Sequence, residues 1–379
     1  MKLAVPTETR PGERRVAMIP DVAGRLTGAG VEVAVQAGAG AEAHFTDAAY
    51  SDKGAVVVGS VGELLSGAEI VAKVQAPTPE EVAAAPGGVT LVSFLAPATQ
   101  LDTVKALVEK GATAFSLDLL PRISRAQSMD ALSSQSTVSG YLAALAAAER
   151  LPKFFPMFMT AAGTVPPAKV LVLGAGVAGL QTIATARRLG AQVRAYDVRA
   201  AAKEEVQSLG AAFVELGLES QEGSGGYARA QSEDFLARQR ELIGNEVAAS
   251  DVVITTAAVP GRRAPVLVTT EMVERMAEGS VVVDLAADSG GNCELSEPGR
   301  DIIHHGVCVA GLTNPPSAMP THASFLYSRN VANFLALVIA EGELRPDFDD
   351  EIVSGCCVVR AGEIVHEPTR DLVEGKGAP

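Results

Sequence analysis

Short apolar runs alternate with helical patterns through the first 120 residues of the chain. The helical patterns cover residues 21–29 and 100–110, and the apolar runs are rich in Val, Ala, Leu and Ile. Strands that read as continuous apolar runs, separated by helices, are typical of a mostly parallel sheet with both faces covered. We therefore predict strands at residues 2–5, 31–36, 55–58, 70–74, 89–94 and 113–117.

The same rhythm restarts at Lys169. Between the two regions, the Ala-rich residues 140–150 have a strong helix propensity and predict a connecting helix. A helical pattern at residues 323–341 is followed by a β-like tail at residues 351–359 and 363–365. The strands predicted in this second region are residues 170–173, 192–196, 251–255, 280–285 and 307–310.

These patterns predict an α/β fold of two doubly wound, parallel-sheet (Rossmann-like) domains with a cofactor cleft between them. The tail is too short to form a domain, so we expect it to return to one of the two. We place an N-terminal α/β domain at residues 1–136, with residues 321–379 returning to it, and an NAD-binding Rossmann domain at residues 137–320.

Charge and composition narrow the classes of partner. The 379 residues carry a net charge of −14, contain no Trp and are only 4% aromatic. Nucleic-acid binding needs basic side chains against phosphates and often aromatic stacking, so we expect no nucleic-acid partner. The first residues meet Pro6 and then charge, and the longest apolar stretch, residues 170–186, contains three glycines. We therefore expect a cytoplasmic chain without a signal peptide or direct membrane insertion.

Cysteine and histidine spacing gives no metal motif. The four cysteines form no C-x-x-C pair, and we expect them to be reduced thiols. The adjacent His304 and His305 precede a predicted strand, and we interpret them as capping or packing residues. We predict no metal site.

A glycine fingerprint follows the predicted strand at residues 170–173. Gly174, Gly176 and Gly179 give the spacing G-x-G-x-x-G before a helical pattern, and Asp197 follows Gly176 by 21 residues at the end of the next strand. In dinucleotide-binding folds these glycines allow a tight turn, close approach of the pyrophosphate and close helix packing, and the acid binds the adenosine ribose. Asp197 favours NAD(H) over NADP(H), although Arg199 could accommodate a 2′-phosphate.

Residues 121–136 form an unusual polar segment near the predicted domain junction. It contains two Arg, two Gln, one Asp and five Ser, without Lys, Glu or Gly. If the segment is helical after Arg125, then Gln127, Asp130 and Ser134 share one face, with Ser133 beside them. Such side chains suit a ligand with amide and hydroxyl groups, such as a nicotinamide nucleoside. A polar interdomain hinge is the open alternative.

A glycine-rich loop at residues 218–235 contains the lone Tyr227. Three glycines lie just before this tyrosine, at positions 223, 225 and 226. The composition suggests a mobile flap, and a plain surface loop is the alternative.

Several strings in the chain resemble one family. They are the Arg-Ile-Ser-Arg-Ala-Gln-Ser-Met-Asp string at residues 122–130, residues 159–167 leading into the glycine fingerprint, Gly-Gly-Tyr-Ala at 225–228, residues 285–293 and residues 10–17. In these strings the whole chain resembles the NAD(H)-binding subunits (domain I, the first portion of the alpha subunit) of proton-translocating NAD(P) transhydrogenases, in the alanine dehydrogenase/transhydrogenase family.

The resemblance implies a direct hydride transfer between NAD(H) on this chain and NADP(H) on a partner subunit, coupled to proton translocation in membrane subunits. It implies a homodimer, with residues 323–340 or the junction helix as apolar contact surface, and a peripheral location at the inner (cytoplasmic) membrane through the partner subunits. The residues implied at the nicotinamide end are Arg122, Ile123, Ser124, Gln127 and Asp130, with Ser133 nearby, and of these Arg122, Gln127, Asp130 and Ser133 are the catalytic candidates. Those implied elsewhere are Ala175, Gly176 and Val177 at the pyrophosphate, Asp197, Val198 and Arg199 at the ribose, Gly226 and Tyr227 in the mobile loop, Gln239 on the adjacent helix and Ala258 at the adenine.

One position separates the two branches of this family. The resemblance implies that an alanine dehydrogenase has a histidine after the strand at residues 89–94, where this chain has Ala96. Lys73, Arg15 and Asp288 persist from the keto-acid site. Reduction of a keto acid moves a proton as well as a hydride, whereas transfer between two nicotinamide rings needs only positioning and the exclusion of water. The alternatives that we keep are a self-contained alanine-type amino-acid dehydrogenase and a non-catalytic NAD-binding subunit.

Overall fold

The computed structural model describes residues 1–215, 233–258 and 263–376, without the side chains of residues 233–237 and 239. The chain divides into two compact units. One consists of Met1–Gln135 with Pro316–Pro379, and the other of Ser136–Pro315. Each unit is built around its own twisted, mostly parallel sheet.

The sheet of the first unit has eight strands. They are β1 (Lys2–Val5), β2 (Glu32–Gln36), β3 (Val56–Val58), β4 (Ile70–Ala72), β5 (Thr90–Ser93), β6 (Thr113–Ser116), β18 (Cys357–Arg360) and β19 (Glu363–Ile364). Their order across the sheet is β19-β18-β6-β5-β4-β1-β2-β3. The six strands from the beginning of the chain run parallel, and β18 pairs antiparallel with β6, with Cys357 opposite Phe115.

Helices cover both faces of this sheet. They are α1 (Pro20–Gly28), α2 (Asp47–Asp52), α3 (Val61–Leu65), α4 (Pro79–Ala84), α5 (Leu101–Glu109), α11 (Pro320–Val338), α12 (Glu351–Cys356) and α13 (Glu367–Val373). The longest of them, α11, buries Tyr327, Val331 and Phe334 in the same core as β1 and β2. A small hairpin, β16 (Ile339–Ala340) with β17 (Glu343–Leu344), follows α11. The chain passes from the first unit into the second within helix α6 (Ala131–Arg150).

The second unit has a sheet of seven strands. They are β9 (Lys169–Leu173), β10 (Gln192–Tyr196), β11 (Ala212–Phe213), β12 (Val252–Thr255), β13 (Val281–Asp284), β14 (Asp301–His304) and β15 (Val307–Gly311). Their order is β11-β10-β9-β12-β13-β15-β14, and all neighbours are parallel except β14 and β15. The chain fills the sheet outward from β9, first toward β11 and then from β12, so the strand order reverses between β9 and β12. Ligands of doubly wound sheets bind outside the carboxyl ends of the strands at such a reversal.

The remaining elements of the second unit are four helices and one hairpin. Strands β12 and β13 are buried throughout, as expected of central parallel strands covered on both faces. The helices are α7 (Val177–Arg188), α8 (Ala202–Ser208), α9 (Glu233–Ala248) and α10 (Thr270–Glu274), and the hairpin is β7 (Phe158–Thr160) with β8 (Gly163–Val165).

The two parallel sheets confirm the predicted α/β class, and the predicted strands of both regions lie within two residues of the observed ones at each end. The tail is different from its prediction. Residues 351–356 form α12 rather than a strand, because the Asp350 side chain accepts the Ile352 N–H at 2.8 Å and caps a helix there. Among the residues that the structure describes, every helix is too short or too polar to cross a membrane.

Candidate functional site

The turn after β9 can be made only by glycine. Gly174 has a φ of +99°, and a Cβ added there would lie 2.7 Å from Thr256 Oγ1. Both the conformation and the space therefore exclude a side chain. Thr256, the residue after β12, donates its hydroxyl to the Gly174 carbonyl at 3.0 Å and fixes this turn across the strand reversal.

Two further glycines let helix α7 pack closely against its neighbours. A Cβ on Gly179 would lie 1.9 Å from the Gly174 carbonyl oxygen, so the first turn of the helix rests directly on the loop. A Cβ on Gly140 of α6 would lie 2.1 Å from the carbonyl oxygen of Ala178. These contacts join backbone to backbone, and a methyl group cannot be accommodated without moving the helix.

The middle glycine of the fingerprint has no such contact. Gly176 is the N-cap residue of α7, and no atom lies within 4 Å of the position that its Cβ would occupy. Val177, the first helical residue, is 42% exposed. The N-terminus of this 12-residue helix thus presents unpaired backbone N–H groups and a positive dipole end to open space, which is an arrangement that fits a pyrophosphate.

Asp197 lies beside this loop, just after β10. Its carboxylate accepts the Ala175 N–H at 2.7 Å and the Arg199 N–H at 2.8 Å. The Arg199 guanidinium adds bonds of 3.0 and 3.2 Å to the same carboxylate and donates to the Ala175 carbonyl at 3.1 Å. These contacts use the acceptor positions that a ribose would need, so the Arg199 side chain must move before a ribose hydroxyl can bind Asp197.

A buried polar network shapes the carboxyl ends of β12 and β13. The Asp284 carboxylate accepts the Thr255 hydroxyl at 3.0 Å and the Asn292 N–H at 2.8 Å. Asn292 in turn bonds both the N–H and the carbonyl of Ala257, at 3.0 and 2.8 Å. The network positions the loop that carries the exposed Ala258. Thr256, Asp284 and Asn292 were not among the predicted site residues; the signal that could have found them is a polar residue at the carboxyl end of each predicted parallel strand.

The polar segment of the first unit is not one continuous helix. Residues Ser124–Met129 form a 3₁₀ helix that ends at Asp130, whose ψ of 87° breaks the helical path before α6. The Asp130 carboxylate accepts the N–H of Ser133 at 2.8 Å and its hydroxyl at 2.5 Å. Asp130 and Ser133 therefore form a helix cap, and the expected single face shared by Gln127, Asp130 and Ser134 is wrong.

Contacts with two other helices hold the 3₁₀ segment in place. The Arg125 guanidinium bonds both oxygens of Asp350, at 2.5 and 2.9 Å. The Ser128 carbonyl accepts from the side chains of Asn330 and Asn333 on α11 at 3.0 and 2.9 Å. The segment leaves Arg122, Ser124 and Gln127 exposed, and Ile123 is half-buried. The Gln127 side chain makes no hydrogen bond to another described residue.

A buried ionic network in the first unit contains the two predicted keto-acid cations. Arg15 donates to both oxygens of Glu13, at 2.7 and 2.6 Å, and to Gln135 at 2.8 Å. Lys73 lies 2.8 Å from Glu81 and 3.7 Å from Glu8. The chain's own carboxylates thus neutralise both cations.

Burial and charge act in opposite directions on the two buried carboxyls. Burial raises the pKa of Glu8 to about 7, and the charge of Lys73 only partly opposes this. Burial would also raise the pKa of Glu13, but the hydrogen bonds and charge of Arg15 outweigh it and lower that pKa to about 2. One carboxyl therefore holds a proton up to neutral pH while its neighbour stays ionised.

The position where the alanine dehydrogenase branch was expected to have histidine is an exposed turn. Ala96 has a φ of +45°, and its N–H donates to Asp118 at 2.9 Å. Asp118 also accepts the N–H of Leu95 and the hydroxyl of Ser116, at 3.0 and 2.6 Å. The turn is fixed, but the methyl group of Ala96 can carry no proton.

Three predicted contacts cannot be placed. Gly226 and Tyr227, with the expected flap, lie outside the described residues, and so does the side chain of Gln239. The predicted Asp288 is exposed and accepts the Asn314 N–H at 3.0 Å, and Val198 lies half-buried beside Asp197.

Comparison with known proteins gives the family. Residues 4–139 match the family described as "Alanine dehydrogenase/PNT, N-terminal domain", and residues 143–367 match "Alanine dehydrogenase/PNT, C-terminal domain". The chain belongs to the alanine dehydrogenase/PNT family. This confirms the resemblance stated from the sequence strings.

Relatives from both branches of the alanine dehydrogenase/PNT family are similar over nearly the whole chain. The first portion of the NAD(P) transhydrogenase alpha subunit of Rhodospirillum rubrum, a separate chain, is 49% identical over 100% of both chains. A solved transhydrogenase from Sinorhizobium meliloti superposes with a TM-score of 0.88 at 40% identity, covering 96% of this chain and 100% of that one. A solved L-alanine dehydrogenase gives a TM-score of 0.83 at 28% identity, covering 100% of both. The relatives named transhydrogenase alpha subunits belong to an oxidoreductase.

Proposed function

We propose that this chain is the NAD(H)-binding subunit of a proton-translocating NAD(P) transhydrogenase. It exchanges a hydride directly with NADP(H) on a partner subunit, and membrane subunits couple that exchange to proton movement. The observation that carries this choice within the family is Ala96. Its turn offers a methyl group where reduction of a keto acid needs a proton carrier.

The glycine loop and Asp197 support NAD(H) as the cofactor. Gly174, Ala175, Gly176 and Val177 would receive the pyrophosphate at the start of α7, where the space beside Gly176 is open. Gly179 supports this binding by holding the helix against the loop. Asp197, Val198 and Arg199 would receive the adenosine ribose, once the Arg199 guanidinium has left the Asp197 carboxylate, and Ala258 the adenine.

The exposed polar residues of the first unit support a role at the nicotinamide. When bound, the nicotinamide ring supplies the carbon that gives or takes the hydride. The Gln127 amide can donate and accept hydrogen bonds at once, as recognition of a carboxamide requires. Arg122, Ile123 and Ser124 would complete the contact, while Asp130 and Ser133 fix the turn that presents Gln127. These residues position the ring and exclude water, which is the main catalytic need of a direct transfer.

An exposed apolar hairpin supports a homodimer. Five large apolar side chains on and before β7–β8 face solvent, and Met159 is 76% exposed. Such a patch on a protein surface usually marks an interaction site. The apolar side of α11 is used up in its own core, so the contact surface suggested at residues 323–340 gives way to this hairpin. The exposed side chains are Phe154, Met157, Phe158, Met159 and Val165.

The proposal implies partners of two further kinds. A chain with an NADP(H)-binding domain would supply the second nicotinamide, and membrane-spanning subunits would carry the protons. This chain would then be cytoplasmic and peripheral at the inner membrane, docked through protein contacts. Its net charge of −14 keeps nucleic acid out of the list of partners.

The experiment combines the purified chain with an NADP(H)-binding transhydrogenase domain and follows hydride transfer from NADH to an NADP⁺ analogue. We expect exchange that requires both proteins. Gln127→Asn should slow it at least about tenfold, since a shortened side chain withdraws the amide and about 1.4 kcal/mol of lost positioning gives that factor. Gln207→Asn, an exposed glutamine of α8, is the matched control and should behave as the wild type.

A second assay separates the alternatives. Robust turnover of pyruvate, ammonia and NADH by the chain alone would identify an alanine-type dehydrogenase instead. Tight NADH binding without exchange in the presence of the partner domain would identify a non-catalytic subunit. Both alternatives keep the family and reject the proposed activity.

A further inference from the structure

Two adjacent histidines and a glutamate come together at the tip of the β14–β15 hairpin. His304 Nε2 lies 3.0 Å from Glu274 Oε1, and His305 Nε2 lies 3.7 Å from the same oxygen. Within the described residues, this is the one group in which three such donors lie within 4.8 Å of one another. Both imidazole rings therefore face one carboxylate, which the interpretation as capping or packing residues did not anticipate.

The hairpin turn explains why neighbours in sequence point the same way. Successive side chains of a strand normally alternate between faces. Here β14 ends at His304, which pairs with Val307, and the two residues between them have φ values of +48° (His305) and +73° (Gly306). This is the geometry of a tight two-residue hairpin turn, and it brings the ring centroids to 4.9 Å.

His305 is an unusual residue for that turn position. Left-handed backbone is adopted at a cost by residues other than glycine, and Asn, Asp and Gly are the usual choices in such turns. A residue kept in a sparsely populated conformation is a reason to look for a function of its side chain.

The two elements that carry the donors are already fastened together. The Gly279 N–H, shortly after α10, donates to the Gly306 carbonyl at 2.8 Å, and the Cys308 N–H donates to the Ser280 carbonyl at 3.0 Å. Little chain movement is then needed to bring Glu274 and both imidazoles to coordination distance, and prearranged ligands favour binding.

We propose that Glu274, His304 and His305 form a binding site for a divalent transition-metal ion of the Zn²⁺ class. Imidazole nitrogen and carboxylate oxygen are ligands that Zn²⁺ takes at about 2.0–2.2 Å, and water can complete a tetrahedral shell at an exposed site. The metal would bridge α10 to the edge hairpin of the second unit. Neutral imidazoles that share one carboxylate leave its charge uncompensated, whereas a cation among the three satisfies them together.

The position separates this site from nucleotide chemistry. The turn precedes β15, at the amino end of a strand parallel to β13, whereas the glycine loop follows the carboxyl end of β9 in the same parallel set. The metal site therefore lies at the opposite edge of this sheet from Gly174. Its role is to stabilise the second unit, and it is independent of the proposed hydride transfer.

The test titrates the full chain, freed of metal by a chelator, with Zn²⁺ at pH 7.5 in competition with a chromophoric indicator. The wild type should bind one equivalent at this site. His305→Gln and Glu274→Gln should each weaken binding at least about tenfold, because losing even a supporting residue commonly costs about 10–100-fold. His322→Gln, an exposed histidine of α11, is the matched control and should bind as the wild type.

Two further readouts keep the proposal falsifiable if a variant is unstable. Zn²⁺ should raise the thermal midpoint of the wild type and leave that of His305→Gln unchanged, while NADH affinity stays the same in both. X-ray absorption of the wild-type zinc complex should show two imidazole nitrogens. Sulfur ligands, wild-type affinity in both variants, or no stoichiometric binding by the wild type would each overturn the proposal.

Discussion

Replacing Gly179 by alanine tests the packing of α7 on the glycine loop. The added Cβ would lie 1.9 Å from the carbonyl oxygen of Gly174 and 2.8 Å from its carbonyl carbon. Because ordinary contact begins near 3.4 Å, the helix and the loop must separate by about 1.5 Å. Overpacking usually costs about 1–3 kcal/mol, and we expect the upper end because both partners are backbone. For a unit of this size, about 3 kcal/mol lowers the thermal midpoint by roughly 6–12 °C.

Gly176→Ala is the matched control on the same helix. Its Cβ meets nothing within 4 Å, so only the poorer N-cap propensity of alanine is felt, at less than about 1 kcal/mol. The methyl group would, however, fill the space proposed for the pyrophosphate. We expect NADH to bind at least about tenfold more weakly, which corresponds to about 1.4 kcal/mol.

Thermal unfolding and NADH fluorescence titration of the two variants check this reasoning. Gly179→Ala should lose stability first and affinity as a consequence, whereas Gly176→Ala should lose affinity at nearly full stability. A thermal midpoint for Gly179→Ala within about 2 °C of the wild type, or unchanged NADH affinity in Gly176→Ala, would refute it.

Three more outcomes follow from the structure. Asp197→Asn should weaken NADH binding about tenfold and narrow the preference over NADPH, measured by parallel titrations with Asp102→Asn as control; an unchanged preference would remove Asp197 from the ribose site. The stability linked to Glu8, whose pKa is about 7 in the fold and ordinarily 4.5, is full below pH 4.5 and lost as the pH rises to 7. Glu8→Gln should therefore unfold at a higher temperature than the wild type at pH 8, by up to about 3 kcal/mol, and not at pH 5, and equal midpoints at both pH values would contradict this. Met159→Asp should convert the proposed dimer to monomers in light scattering while Val365→Asp does not, and a wild-type monomer would reject the hairpin contact.

Strand periodicity was sufficient for the sheets because central parallel strands are apolar on both faces. The run at residues 2–5 and that at 192–196 coincide with β1 and β10. Edge elements escaped this signal: β14 has alternating exposure and was not predicted, and the β7–β8 hairpin is exposed throughout. In the tail, Asp350 before Glu351 was a readable N-cap signal, but the apolar residues that follow favoured a strand.

The site was predictable where chemistry follows a fixed spacing. The glycine fingerprint and Asp197 are local, and the structure brings Asp197 to the Ala175 N–H. The Asn292 link to Ala257 joins residues 35 positions apart, and no spacing rule predicts it. Asp130 shows the opposite limit, since a helix cap and a ligand contact ask for the same residue type, and pattern alone could not assign the cap.

The first unit is assembled from both ends of the chain, and this orders its birth on the ribosome. Strand β6 is made early, but its neighbour β18 and the core helix α11 follow only after the about 180 residues of the second unit. At about 5–20 residues per second, the apolar groove that receives Phe334 waits roughly 10–40 s for its partner. The second unit can finish folding during that interval, so the nascent first unit is the region of this protein that depends on a chaperone.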